Sequence, residues 1–375
     1  MKEIKMVDLY SQYLKIKPEV DNALESVIAS TAFINGPEVK SFKANLESYL
    51  NVKHVIPCGN GTDALQISMM GLDLKPGDEV ITTSFTFIAT VEVIGLLGLK
   101  PILVDVDYDT FNIDPKSVEK AITKKTKAIV PVHLFGQCSD MNSIMKIAKQ
   151  HNLYVIEDNA QAIGADYSFN ENKKVKAGTI GDVGTTSFFP SKNLGGYGDG
   201  GAILTNNDEL AEKLLSIVNH GMKVRYYHDR VGVNSRLDSL QAAILKIKLK
   251  HLDDYILARQ KAASFYNNAF KNHENIITPI TSSDTTHVFH QYTLKTKNVD
   301  RAKLIENLKS KGIPAMIYYP VPMHLQKAYK DERYKTGDFP VTELLSETVI
   351  SLPMHTEMDN EQLNYITENF LNFIN

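Results

Sequence analysis

The chain has 375 residues, long enough for a large domain and a smaller one rather than a single small core. Hydrophobic residues make up 43% and charged residues 23%, with a formal net charge of -3. That balance suits a soluble globular protein and excludes a nucleic-acid surface or a polybasic membrane anchor. The opening MKEIKMVDLYSQY lacks the apolar core and cleavage site of a secretory signal. No apolar run reaches the ~18 residues of a membrane span, so a cytoplasmic protein is expected. Cys58 and Cys138 have neither CxxC spacing nor a neighbouring histidine cluster, which argues against a disulfide framework and a structural zinc site.

From residue 52 the pattern alternates short apolar runs with helical stretches. His54–Cys58 reads as a strand, Thr62–Leu72 as a helix, Glu79–Thr83 as a strand and Thr90–Leu97 as a helix. The runs PILVDV, AIVPVH and LYVIED continue the series, with a helix over Ser139–Gln150. Such alternation predicts an α/β fold with a mostly parallel sheet between helices. The polar stretch Ser168–Ala177 has no apolar period and is expected to be a solvated hairpin or loop. Thr185–Phe189 and Gly201–Thr205 are two further strands, expected to close the sheet. Leu237–Phe270 carries apolar residues every three or four positions and predicts one long helix. A strand (His290–Thr296), a helix (Arg301–Lys311), a strand (Ala315–Tyr318) and terminal helices follow. The division expected is a large domain over 1–245 and a smaller α+β domain over 246–375.

Three segments carry chemistry. CGNGTDA (58–64) follows a strand and opens a helix, where free N–H groups and the positive end of the helix dipole favour an anion. It also fits the dinucleotide pattern GxGxxG/A, but the acid that pattern needs at the end of the next strand is missing. A glycine turn without a ligand is the third reading. LYVIEDNAQ (153–161) ends a strand in Glu157-Asp158, at the carboxyl edge where open α/β sheets bind ligands, although a helix cap or surface charge pair would look the same. TTSFFPSKNLGGYGDGG (185–201) sets Lys192 beside an apolar strand and a run of glycines, a setting that can favour a neutral amine. An ordinary surface lysine is the alternative. Together, an anion turn, a strand-end acid and a loop lysine are the inventory pyridoxal 5'-phosphate needs: a phosphate holder, a partner for the pyridine nitrogen and an imine former.

Over nearly its full length the chain resembles the sugar aminotransferases of the DegT/DnrJ/EryC1/StrS family. The blocks GNGTDAL, SFTFIAT, EDNAQAIGA, SFFPSKNLGGYGDGGAILTN and NSRLDSLQAAIL occur in that family's order. The resemblance implies the aspartate-aminotransferase-like type I pyridoxal-phosphate fold. It implies that Lys192 carries the cofactor and shuttles the substrate proton. Asp158 would pair with the pyridinium nitrogen, Gln161 would bond the cofactor's phenolic oxygen, and Phe87 would stack on its ring. Gly61, Thr62, Asp63 and Ser187 would hold the phosphate, and Asn234 would reach the neighbouring subunit's cofactor in a homodimer with shared active sites. Tyr197, Tyr318, Tyr319 and His324 are candidates for lining the sugar pocket, with interface packing as the alternative for each.

The implied reaction moves an amino group from L-glutamate to a nucleotide-linked keto-sugar. The loop LGGYGDGG, together with HLFGQCSDM, RYYHDRVGVNSRLDS and PVPMHLQKAY, is most similar to members making dTDP-3-amino-3,6-dideoxyhexoses. Members acting on UDP-linked 3-keto-uronic acids carry a similar loop, and amination at C4 of a 4-keto-6-deoxy sugar is a further alternative. Gly195-Gly196 departs from relatives with a larger residue there, which could alter sugar fit. A sugar dehydratase of the same fold would replace the lysine with histidine. An NAD-dependent oxidoreductase rests on GNGTDA alone, and a non-catalytic sugar-nucleotide binding protein is disfavoured by the retained site residues.

Overall fold

The structure, a computed structural model, describes residues 2–170 and 173–375. The strands of the first part are β1 (His54–Cys58), β2 (Glu79–Thr83), β3 (Lys100–Val104), β4 (Thr126–Val130), β5 (Tyr154–Asp158), β6 (Asp166–Asn170), β7 (Lys173–Lys176), β8 (Val183–Ser187) and β9 (Gly201–Thr205). Seven of them form one sheet in the order β1-β9-β8-β5-β4-β2-β3. β9 runs antiparallel to both its neighbours, β1 and β8, while the pairs from β8 to β3 are all parallel. β8 and β9, the two strands expected to complete the sheet, enter it between β5 and β1. β1 lies at the margin, where Pro57 is tolerated because an edge strand has a free side. β6 and β7 pair antiparallel outside the sheet. The solvated hairpin or loop expected over 168–177 includes Glu171 and Asn172, which lie outside the described residues.

The helices of this part are α1 (Leu9–Ser30), α2 (Pro37–Leu50), α3 (Gly61–Gly71), α4 (Ala89–Leu96), α5 (Pro115–Ala121), α6 (Met141–His151), α7 (Asp208–Ile217) and α8 (Ser239–Lys250). β2, β4, β8 and β9 bury nearly every residue because helices cover both faces, which is why their sequences run apolar rather than alternate. On one side Phe42 of α2 meets Phe188 edge-on at 5.4 Å. On the other, Ala64, Leu65 and Ile67 of α3 pack with Leu214 of α7 and Val80 of the sheet.

The long helix predicted over 237–270 is broken once, at His251, giving α8 and α9 (Leu252–Phe270). α9 belongs to two cores: Leu252 and Ile256 pack against the large sheet, and Ala262, Tyr266 and Phe270 pack with the last third of the chain. There a small sheet, with β12 (Ile276–Ile277), β13 (Tyr292–Thr296) and β14 (Val349–Leu352) in that order, is covered by α9, α10 (Arg301–Ser310) and α12 (Asn360–Ile374). Between β9 and α8 a short hairpin, β10 (Met222–Val224) and β11 (Tyr227–His228), stands out from the body, and α11 (Pro340–Thr348) precedes β14. The strand expected at Ala315–Tyr318 reduces to a single bridge, Met316 to Ser351. Pro314 and Pro320 bracket the run, and a proline offers no N–H to extend a ladder. Among the described residues no helix is long and apolar enough to cross a membrane.

Candidate active site

The parallel strands end at one edge of the sheet, and their following turns build the site. After β1, Asn60 caps α3 by accepting the Asp63 N–H at 2.8 Å. Helix geometry leaves the N–H groups of Gly61 and Thr62 without an intrahelical acceptor. Asp63 turns back and accepts the Ser235 hydroxyl at 2.6 Å, and that hydroxyl accepts the Gly59 N–H at 2.9 Å. Asp63 thus braces the turn. Ser187, the last residue of β8, lies directly over Gly61: a Cβ at 61 would sit 2.7 Å from the Ser187 Cβ. Only glycine allows that approach, which brings a hydroxyl and two free amides to one small cradle of the kind a phosphate fills.

Asp158 ends β5 and is buried. One oxygen accepts the Thr90 hydroxyl at 2.7 Å and the other the Ala160 N–H at 3.2 Å. Both bonds fix the carboxylate and leave lone pairs for a protonated ring nitrogen. Gln161 accepts the Phe135 N–H at 2.8 Å and donates to the Tyr319 hydroxyl at 3.0 Å, so its second amide hydrogen is available to a ligand oxygen. Phe87, 55% exposed, and Tyr319 stand 6.3 Å apart, a bare aromatic surface beside the Asp158 side. Burial raises the hydroxyl pKa of Tyr319 and of its neighbour Tyr318, keeping both protonated.

Lys192 follows β8 in a turn held by its own N–H to the Phe189 carbonyl at 2.8 Å. Loss of hydration holds its ammonium down to about 8, against the pull of the Asp158 carboxylate, which raises it. The lysine and the acid thus act on each other, and Ser187 of the cradle ends β8, the strand that pairs with β5 beside Asp158. Gly195 belongs to the scaffold of this turn, since a Cβ there would lie 2.3 Å from the Pro190 carbonyl oxygen. At Gly196 the obstacle is the flexible Gln241 side chain, whose amide oxygen accepts the Tyr197 N–H at 2.7 Å.

Two residues expected near the sugar are engaged elsewhere. Tyr197 packs edge-on against Tyr13 of α1 at 6.0 Å, among Ile16, Val20, Ile244 and Ile247. His324 is buried, with one ring nitrogen 2.8 Å from the Ser84 hydroxyl and the other 3.1 Å from Glu343, leaving no ring nitrogen for a sugar. Asn234 is exposed, next to the hairpin formed by β10 and β11, and does not meet its own chain's cradle as Ser235 does.

Thr90, Glu157 and His133 have supporting roles that the sequence does not assign to them. Thr90 closes the TSFTFIAT block yet shows its purpose only through its bond to Asp158. Glu157 is wholly buried and accepts three backbone N–H groups, from Gly178, Ile180 and Gly181, plus the His133 ring at 2.8 Å. His133 accepts the Ser139 N–H on Nδ1, so Nε2 is the nitrogen that donates to Glu157.

The residues present fit a pyridoxal phosphate, and the comparisons agree. The model of the DegT/DnrJ/EryC1/StrS aminotransferase family matches residues 14–371. The chain belongs to that family. It is 48% identical to a "Pleiotropic regulatory protein" of Geobacillus stearothermophilus, covering 99% of this chain and 98% of the relative. It is 45% identical to the UDP-2-acetamido-2-deoxy-3-oxo-D-glucuronate aminotransferase of Pseudomonas aeruginosa (97% and 98% covered). To the dTDP-3-amino-3,6-dideoxy-alpha-D-galactopyranose transaminase of Aneurinibacillus thermoaerophilus it is 42% identical (97% and 98%). Among solved structures, a DegT/DnrJ/EryC1/StrS aminotransferase from Brucella abortus superposes with a TM-score of 0.93 at 40% identity, covering 99% of each chain. NtdA from Bacillus subtilis, solved with bound cofactor PMP, gives 0.91 at 34% identity, covering 100% of this chain and 86% of that one. This family member is a pyridoxal-phosphate-dependent sugar aminotransferase with the aspartate-aminotransferase-like fold.

Proposed function

We propose that the chain transfers an amino group from L-glutamate to C3 of a nucleotide-linked 3-keto-6-deoxyhexose, with dTDP as the carrier. One observation carries the choice of carbon: the named nucleotide-sugar relatives at 45% and 42% identity both act at position 3. The aromatic pair Tyr318 and Tyr319 supports a 6-deoxy sugar, because a C6 methyl gains from apolar contact where a C6 carboxylate would lose hydration. The Pseudomonas relative favours a second reading, a UDP-linked 3-keto-uronic acid.

Pyridoxal phosphate supplies an electron sink for the carbon that loses its proton. In this reading the chain does the rest. Gly61, Thr62 and Ser187 bind the phosphate, with Asp63 holding their turn. Asp158, fixed by Thr90, keeps the pyridine nitrogen protonated, and Gln161 orients the ring from the Phe135 and Tyr319 side. Phe87 covers one ring face and keeps water from it. Lys192, whose ammonium burial holds down to about 8, accepts the substrate proton at Nζ in its neutral form and returns it.

Asn234 is read as the partner's contribution in a homodimer. The adjoining hairpin exposes Val224, Tyr226 (75%) and Tyr227, and Val231 (85%) follows it, an apolar surface suited to burial against a second copy. Soluble phosphate-ester substrates fit a cytoplasmic enzyme. The test is turnover with glutamate on a panel of dTDP-3-keto-6-deoxyhexose, UDP-3-keto-uronate and dTDP-4-keto-6-deoxyhexose. The highest kcat/KM is expected for the first; a preference for either of the others overturns the assignment of sugar.

A further inference from the structure

Ser84, His324 and Glu343 form a chain of hydrogen bonds that the proposed chemistry leaves unused. The Ser84 hydroxyl lies 2.8 Å from His324 Nδ1, and His324 Nε2 lies 3.1 Å from a Glu343 oxygen. A carboxylate only accepts, so Nε2 carries the ring hydrogen and Nδ1 takes that of the serine. The order is that of a nucleophile, its base and an orienting acid, but Ser84 is 0% exposed and offers no surface to a substrate. The chain joins segments instead.

Ser84 opens the turn after β2 that carries Phe87 and leads to Thr90, which fixes Asp158 at 2.7 Å. Its N–H donates to the Val104 carbonyl of β3 at 2.9 Å, so this turn belongs to the large sheet. His324 ends the segment that carries Tyr318 and Tyr319. There the Met323 N–H donates to the Ser84 carbonyl at 2.9 Å and the His324 N–H to its hydroxyl at 3.4 Å. The Met323 side chain packs with Val91 and Leu103, but apolar contact has no direction. The imidazole supplies it. On its far side Glu343, in the first turn of α11, accepts the Gly337 N–H through both oxygens at 2.8 and 2.9 Å. Phe339 meets the ring edge-on at 4.7 Å. At the other end of the segment, the Tyr319 hydroxyl accepts from Gln161 at 3.0 Å and its ring stands 6.1 Å from Phe85.

We propose that His324 is a positioning residue for the sugar half of the reaction: through Ser84 it sets Tyr318 and Tyr319 at their distance from Phe87. The inference rests on the reading that Phe87 covers the cofactor ring while the two tyrosines face the sugar. Without the imidazole, the Phe87 turn keeps its bonds to Val104 and, through Thr90, to Asp158. The tyrosine segment loses its directional anchor. The sugar side therefore shifts while the cofactor side stays, and a misplacement of about 1 Å in a group that orients substrate can cost on the order of 10²-fold in rate.

Stopped-flow absorbance of the holoenzyme separates the two half-reactions in Ser84→Ala, His324→Leu and His324→Gln. Glutamate bleaches the cofactor band, and the keto-sugar nucleotide that the wild type uses best among the panel restores it. In Ser84→Ala and His324→Leu, restoration should slow about 10-fold or more while bleaching stays within about 3-fold of wild type. His324→Gln, whose amide can still donate to Glu343 and accept from Ser84, should recover most of the lost rate. Hydrogen exchange of the holoenzyme should quicken at 318–324 in the first two variants and stay unchanged at 79–90. Equal slowing of both half-reactions, slowing of neither, or unchanged exchange at 318–324 would overturn the inference. Ser84→Ala decides the matter if the histidine variants fail to fold. A wild-type band that no nucleotide in the panel restores would instead sink the proposed function, and this inference with it.

Discussion

Lys192 has to be neutral to attack a carbonyl, yet it lies within reach of the Asp158 carboxylate, which favours its charge. Burial wins, and the ammonium is held down to about 8. In cofactor-free protein the rate of pyridoxal phosphate capture should therefore climb with pH and level off above about pH 8, as followed by stopped-flow absorbance. A carboxylate stabilises a nearby ammonium, so Asp158→Asn lowers the lysine's pKa and moves the midpoint to lower pH. A profile still rising at about pH 10, the range of a hydrated lysine, would show that burial does not set it. At this scale Lys192, Asp158 and Gly61 are legible in the sequence because each sits where a strand meets a turn, and turn chemistry is local. The contacts of Tyr197 and His324 were not legible for the opposite reason: the hydroxyl beside His324 is 240 residues away, and the helix that packs on Tyr197 is α1. No local pattern encodes such contacts.

Among the elements, β5 depends on Glu157 as much as on its apolar residues. The carboxylate gathers the loop after β7 through three backbone N–H groups and fixes His133, so it seats β5 against β4 and β8. Glu157→Ala leaves those donors buried without an acceptor and should cost on the order of 3–5 kcal/mol in urea unfolding. A loss under about 1 kcal/mol would mean water replaces the carboxylate easily. Strand positions were readable because buried parallel strands are apolar throughout. Strand order was not: β8 and β9 look like any other apolar runs, and their entry between β5 and β1 depends on pairings between distant residues. Within Leu237–Phe270 the apolar period continues through His251, so the break left no mark in the pattern.

For the whole molecule, the proposed homodimer would cover the exposed hairpin and give Asn234 its role. If each site takes Lys192 from one subunit and Asn234 from the other, two defective variants can complement. Lys192→Ala mixed with Asn234→Ala, after subunit exchange, gives hybrid dimers in which one site is wild type and the other carries both changes. High-affinity cofactor binding through Lys192 should then appear in the mixture though neither variant alone has it. No recovery in a mixture shown to exchange subunits would place both residues in one chain's site.

The visible absorbance of the purified protein with pyridoxal phosphate, before and after excess L-glutamate, tests the central claim most directly. A yellow band that bleaches with glutamate, returns with the keto-sugar nucleotide and is missing from Lys192→Ala is the predicted result. A wild-type protein that takes up no cofactor, or a band that survives in Lys192→Ala, would contradict the account.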